Sequence, residues 1–184
     1  MKNINQEQAT VPSDILERNA FENTIDTPLE NLVVELLMGK GWHISFAESC
    51  TGGLAAARLV NVPNASSVLD ASVVTYANEA KIAYLDVSPN TISEHGVVSE
   101  QVAREMATGV ALKNCAEVGV GISGIAGPSG ATAQKPIGMV CFGFYLDGKI
   151  ETFTQYFGNA GRNVVRQNSV DFVFKTLLEL LRKA

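Results

Sequence analysis

The sequence is poor in the side chains that build metal centres and crosslinks. Its 184 residues include two histidines and three cysteines. His43 and His95 lie far apart, Cys50, Cys115 and Cys141 are odd in number and widely spaced, and no Cys-x-x-Cys pair occurs. This argues against a disulfide framework and against a structural zinc site. No apolar run approaches the roughly 20 residues of a membrane span. The opening MKNINQEQAT has no apolar stretch of the kind a signal peptide needs. A soluble, cytoplasmic protein with no membrane partner is expected. A basic surplus is missing too. The net charge is −5, and residues 1–30 carry −4 of it, leaving 13 acids against 12 bases in residues 31–184. A general nucleic-acid binder needs a basic face, so none is expected. One small basic pocket for a single phosphate is still allowed.

What is present is apolar. Hydrophobic residues make up 46% and charged residues 18%, ample for a packed core, and the length suits one domain. Residues 1–26 read as a polar leader and residues 27–184 as the domain. Thr27-Pro28 looks like an N-cap followed by proline at the first helical position. Leu29, Leu32, Val33, Leu36 and Leu37 then follow at helical spacing up to Gly39 and Gly41. Strands are expected at 42–47, 69–77 and 117–123, with a hairpin of 139–146 and 149–157 about an Asp147-Gly148 turn. Helices are expected at 53–61, at 78–85 capped by Asn78, near Ser88-Pro89, at 99–114 and at about 162–182. Helices alternating with short strands predict a three-layer α/β/α sandwich with a mixed, mostly parallel sheet.

Four stretches could carry chemistry. In AESCTGG, Ser49 sits where a strand turns into a helix. Thr51, Gly52 and Gly53 follow, and free N–H groups there could hold an oxyanion. The same pattern also suits an ordinary capped turn. Cys50 is a rival nucleophile, though a small buried thiol is the simpler reading. In VTYANEAK, Tyr76 ends a strand and Lys81 falls inside the next helix. A desolvated lysine can act as a base where histidine is missing, and a solvated helix face is the alternative. In SGIAGPSGATAQKPIG, Ser123, Gly124, Gly127 and Gly130 open a loop whose amides could meet an anion, and Lys135-Pro136 closes it. In GNAGRNVVR, Arg162 and Arg166 share one helix face near its start, as a phosphate site or as a solvated pair. His95 reads as a turn or capping residue, and His43 as structural.

Taken together and in this order, AESCTGG, VTYANEAK, HGVVSEQVAREMA, GISGIAGPSG with KPIG, and the late arginine-bearing helix start resemble the CinA C-terminal domain family. The resemblance covers roughly residues 28–182. Only about 27 residues precede it, so the likeness is to stand-alone members, which are nicotinamide-nucleotide amidohydrolases. It implies hydrolysis of nicotinamide mononucleotide to nicotinate mononucleotide and ammonia, with no metal and no organic cofactor. It implies Ser49 as nucleophile, Lys81 as base and Tyr76 beside them. Ser123 matches a Ser or Thr that contacts the site, and Arg162 best matches the family arginine, with Arg166 as the alternative. Thr51, Gly52, Gly53, Gly124 and Gly127 complete the expected substrate contacts. A homo-oligomer, most simply a dimer, is expected. Two loops depart from the family pattern: Ser129 and Ala131 replace an acidic residue and a glycine, and Asn159-Ala160-Gly161 replaces a glycine-aspartate. They motivate a second reading, a nucleotide-binding module without catalysis. A DNA-uptake or damage accessory is a third, which the near-neutral body opposes.

Overall fold

A computed structural model describes residues 27–184; the leader expected at 1–26 lies outside the described residues. In chain order the elements are α1 (Leu29–Lys40), β1 (Ile44–Glu48), α2 (Leu54–Leu59), β2 (Leu69–Val74), α3 (Asn78–Leu85), α4 (Pro89–His95), α5 (Glu100–Asn114), β3 (Val118–Gly124), β4 (Met139–Leu146), β5 (Lys149–Tyr156) and α6 (Arg162–Lys183). The strand order is β2-β1-β3-β4-β5. β1 pairs in parallel with β2 and β3, whereas β3–β4 and β4–β5 are antiparallel. The sheet is therefore mixed. Its pairings divide evenly, although β4 alone runs against the other strands.

The alternation within β3 explains the layering. Val118, Val120 and Ile122 face a core shared with α1, α2 and α6, which includes Phe46, Phe142, Phe144, Phe174 and Leu177. On the other face Gly119 and Gly121 leave no room for a side chain. A Cβ there would lie 2.2 Å from the Ala107 carbonyl oxygen and 2.3 Å from that of Ala103. Helix α5 therefore lies directly on the strands, with Val102, Met106 and Val110 packed against Ala47 and Leu85. The result is the three-layer α/β/α sandwich. Arg58 ties three helices on the first face together, pairing with Glu30 and Asp171 and lying over the Phe174 ring.

Several expected boundaries move for local reasons. β1 starts and ends later than read. β2 stops at Val74, so Tyr76 lies in the loop beyond it. Pro28 is the N-cap of α1 without a side-chain cap bond, and Gly41, with φ 64°, ends it. Asn78 is the first residue of α3, whose N-cap is Ala77. Ser88 and Ser99 do cap α4 and α5, accepting from Thr91 and Val102 N–H groups. The Asp147-Gly148 turn has φ of 43° and 86°, as a two-residue hairpin requires.

The connection from β1 to β2 runs over the α2 face, and that from β2 to β3 runs through α5 on the other. The strand order thus reverses about β1. A crevice opens at the carboxyl ends of strands at such a point.

Candidate active site

The turn after β1 is tight because it contains two left-handed glycines. Gly52 and Gly53 have φ of 62° and 94°, which residues with a Cβ adopt only under strain. Glu48 is fully buried, and its carboxylate accepts the N–H groups of Gly53 (2.9 Å), Ala55 (3.2 Å) and Ala56 (3.0 Å). The start of α2 thereby has its free donors satisfied from within. The Ser49 N–H donates to the Ile122 carbonyl at 3.0 Å and Gly52 N–H to the Ser49 carbonyl at 3.1 Å. The amides of Ser49, Gly52, Gly53, Ala55 and Ala56 are thus engaged by protein acceptors rather than open to a substrate. Thr51 is fully buried, and Thr51, Gly52 and Gly53 are not among the residues lining the cavity described below.

The turn projects Ser49 toward Lys81. The Lys81 side chain is 1% exposed, its Nζ lies 3.2 Å from Ser49 Oγ, and it donates to the Thr75 carbonyl at 2.7 Å. The solvated alternative is thus excluded. No carboxylate among the described residues pairs with it. Burial holds its pKa below the ordinary lysine value, which favours the neutral amine. The rival thiol behaves oppositely. Burial pushes Cys50 up to about 12, so it stays protonated.

Ser49, Tyr76, Lys81, Ser123, Gly124, Gly127 and Arg162 line one cavity of about 760 Å³. Ser123 Oγ donates to the Val97 carbonyl at 2.8 Å. Arg162 crosses the cavity mouth, donating to the Gly127 carbonyl and to Tyr76 Oη, each at 2.8 Å. Tyr76 is 62% exposed and is bonded to Arg162 rather than to Lys81. Arg166 does not line the cavity. It donates to the carbonyls of Cys50 (3.1 Å) and Thr51 (2.8 Å), so the two arginines divide, and Arg162 alone faces the cavity. Lys135 does more than close its loop: its Nζ donates to the carbonyls of His95 and Val98 across the cavity wall. A Cβ on Gly124 would stand 2.7 Å from a Val140 methyl and 3.0 Å from Cys50 Sγ, so no larger residue fits there without movement.

The sequence model of the CinA C-terminal domain matches residues 26–181. The chain belongs to the CinA C-terminal domain family. It is 45% identical to the CinA-like protein of Dictyoglomus turgidum over 159 residues, which are 84% of this chain and 38% of that protein. A CinA-like protein of Kosmotoga olearia is 44% identical over 156 residues, with 83% and 38% covered. The chain thus spans about 38% of the length of these curated relatives. Among solved structures, a CinA superfamily protein from Klebsiella pneumoniae superposes with a TM-score of 0.81 at 36% identity, over 85% of this chain and 97% of that one. One from Escherichia coli gives 0.78 at 33%, over 90% and 98%. The α/β/α fold is therefore that of the family.

Family membership puts the two divergent loops in context. All five of these residues are exposed, and of them Ser129 lines the cavity. The sequence reading missed Glu48, although an acid directly before a turn into a helix is a recognisable N-terminal signal. It missed the Thr75 carbonyl entirely, because no pattern marks a backbone acceptor. Among the described residues no helix is long and apolar enough to cross a membrane, and no group of three or more His, Cys, Asp or Glu residues is placed to hold a metal.

Proposed function

We propose that the protein hydrolyses the carboxamide of nicotinamide mononucleotide, giving nicotinate mononucleotide and ammonia. The observation that carries this reading is the buried Lys81 amine 3.2 Å from Ser49 Oγ at the wall of a cavity large enough for a mononucleotide. The neutral amine takes the Ser49 proton as Oγ attacks the carboxamide carbon. The C–N bond then breaks, and Lys81 returns the proton to the leaving ammonia. Water, deprotonated by the same amine, attacks the acyl carbon, and the C–O bond to Ser49 breaks as Lys81 returns the proton to Ser49 Oγ. The Ile125 N–H is engaged by the Met139 carbonyl, whereas Ala126 and Gly127 line the cavity and are the loop residues whose amides would meet the oxyanion. Arg162, at the mouth, is the cation for the 5′-phosphate.

The test is ammonia release from nicotinamide mononucleotide by wild type, Ser49→Ala and Lys81→Met. Turnover by wild type and its loss in both variants supports the proposal. Equal rates in all three sink it. Saturable nucleotide binding without turnover would replace it with the binding-module reading.

A further inference from the structure

Arg166 belongs with Glu48 rather than with the substrate. Each of its three guanidinium nitrogens meets a protein oxygen: Nε the Cys50 carbonyl, Nη2 the Thr51 carbonyl, and Nη1 Asn163 Oδ1 at 3.3 Å. Glu48 acts where the same turn passes into α2, through the amides of Gly53, Ala55 and Ala56. The side chain of one strand residue thus holds donors at the junction of turn and helix, and that of one distant helix residue holds two carbonyls of the turn. A Cβ on Gly52 would lie 3.6 Å from Arg166 Nη2, so the guanidinium rests directly on the turn. Ser49 lies within this frame, its backbone bonded to Ile122 and Gly52.

We propose that Arg166 and Glu48 are positioning residues, Arg166 holding the Cys50 and Thr51 carbonyls and Glu48 anchoring the end of the turn to the start of α2, and that together they fix Ser49 Oγ against the Lys81 amine. Neither touches the substrate. The proposal rests on the Ser49–Lys81 reading above. Its physical basis is that a nucleophile displaced by about 1 Å loses on the order of 10²-fold in rate. A planar guanidinium reaches two neighbouring carbonyls at once, which a lysine ammonium does not reproduce.

The experiment compares wild type, Arg166→Ala, Arg166→Lys and Glu48→Gln in two assays. One is steady-state deamidation of nicotinamide mononucleotide. The other is the rate of covalent labelling of Ser49 by a fluorophosphonate, which needs no nucleotide. For Arg166→Ala the expected result is a loss on the order of 10²-fold in both kcat and labelling rate, with KM changed little. Free guanidinium restores part of both losses, and ammonium does not. Glu48→Gln, which keeps one acceptor oxygen, loses less than Arg166→Ala. Unchanged kcat and labelling in Arg166→Ala overturn the proposal. So does a raised KM at unchanged kcat, which would return Arg166 to the substrate. A lowered melting temperature with losses that guanidinium does not restore assigns Arg166 to stability alone and also overturns it. A wild type that labels at Ser49 yet releases no ammonia removes the substrate assignment only. The labelling ratio then decides the positioning role by itself.

Discussion

The cavity is bordered by a short turn, 48–53, and a long loop, 125–138. In the turn, backbone groups meet a carboxylate and a guanidinium, and Glu48, Cys50 and Thr51 are buried. The loop is pinched at its base, where Ile125 and Met139 pair and Gly138 N–H donates to Ile125. Residues 128–134 are exposed, and the side-chain fasteners are Arg162 on Gly127 and Lys135 on His95 and Val98. The difference suits the two tasks that the proposed deamidation would set. A nucleophile must be held in one geometry, whereas a wall that admits and releases a ligand must open at low cost.

The sharpest way to break the comparison is to disable the turn's chemistry while leaving its shape. Ser49→Ala should reduce ammonia release on the order of 10⁴-fold or more, measured by single-turnover assay. Its melting temperature should stay near that of wild type. Lys81→Met should lose activity to a similar extent, and it isolates the role of the buried amine.

The pH dependence follows from the same amine. Lys81 must be neutral to accept the serine proton, and its pKa lies below the ordinary lysine value. The acid limb of kcat/KM should therefore rise with pH and level off earlier than an unperturbed lysine would allow. Stability follows the same sign. Between the folded and unfolded pKa values the unfolded chain holds the proton and the folded chain does not. Stability should then rise with pH across that window and become level above the unfolded value. In Lys81→Met this contribution to the slope should vanish, as denaturant titrations at several pH values would show.

A change at the seam between the two segments should have an intermediate effect. Gly124→Ala places a methyl against Val140 and Cys50. A loss of about 1–3 kcal/mol is expected from such overpacking, with a lowered kcat because Cys50 adjoins Ser49. Wild-type stability and rate would show that Val140 yields freely.

The smallest effect belongs to the loop. Lys135→Met removes both bonds from Nζ and should cost about 1 kcal/mol. It should raise KM more than it lowers kcat, and it should speed hydrogen exchange in residues 126–136 but not in 48–56. Equal acceleration in both segments would erase the contrast between them.

How much was legible varies by residue. Ser49 stood out because it falls where a strand turns into a helix through Gly-Gly, whereas Lys81, in NEAKIAYL beside Asn78 and Glu79, read equally well as a solvated helix face until the ordered blocks were taken together. Gly119 and Gly121 carried no such signal. Their role is to let α5 approach the sheet, and that depends on a partner distant in sequence. Arg162 and Arg166 were equivalent by spacing, since both project from the first turns of α6. They separate only because one is directed to the Gly127 loop and the other to the Ser49 turn. Glu48 had a local signal, an acid directly before a turn into a helix, but its three amide partners come together only when α2 folds back over it.

The sequence by itself determined the element order, the α/β/α class and the residue types able to do acyl chemistry. Those follow from local periodicity, turn residues and the side-chain inventory. Tertiary structure decided which groups face the cavity and which support it. It buried Lys81 with no carboxylate paired to it among the described residues and thereby changed the basicity of its amine. It also gave Glu48 and Arg166 to the backbone of one turn. Desolvation and long-range hydrogen bonding arise only when separated segments meet, so no local pattern records them.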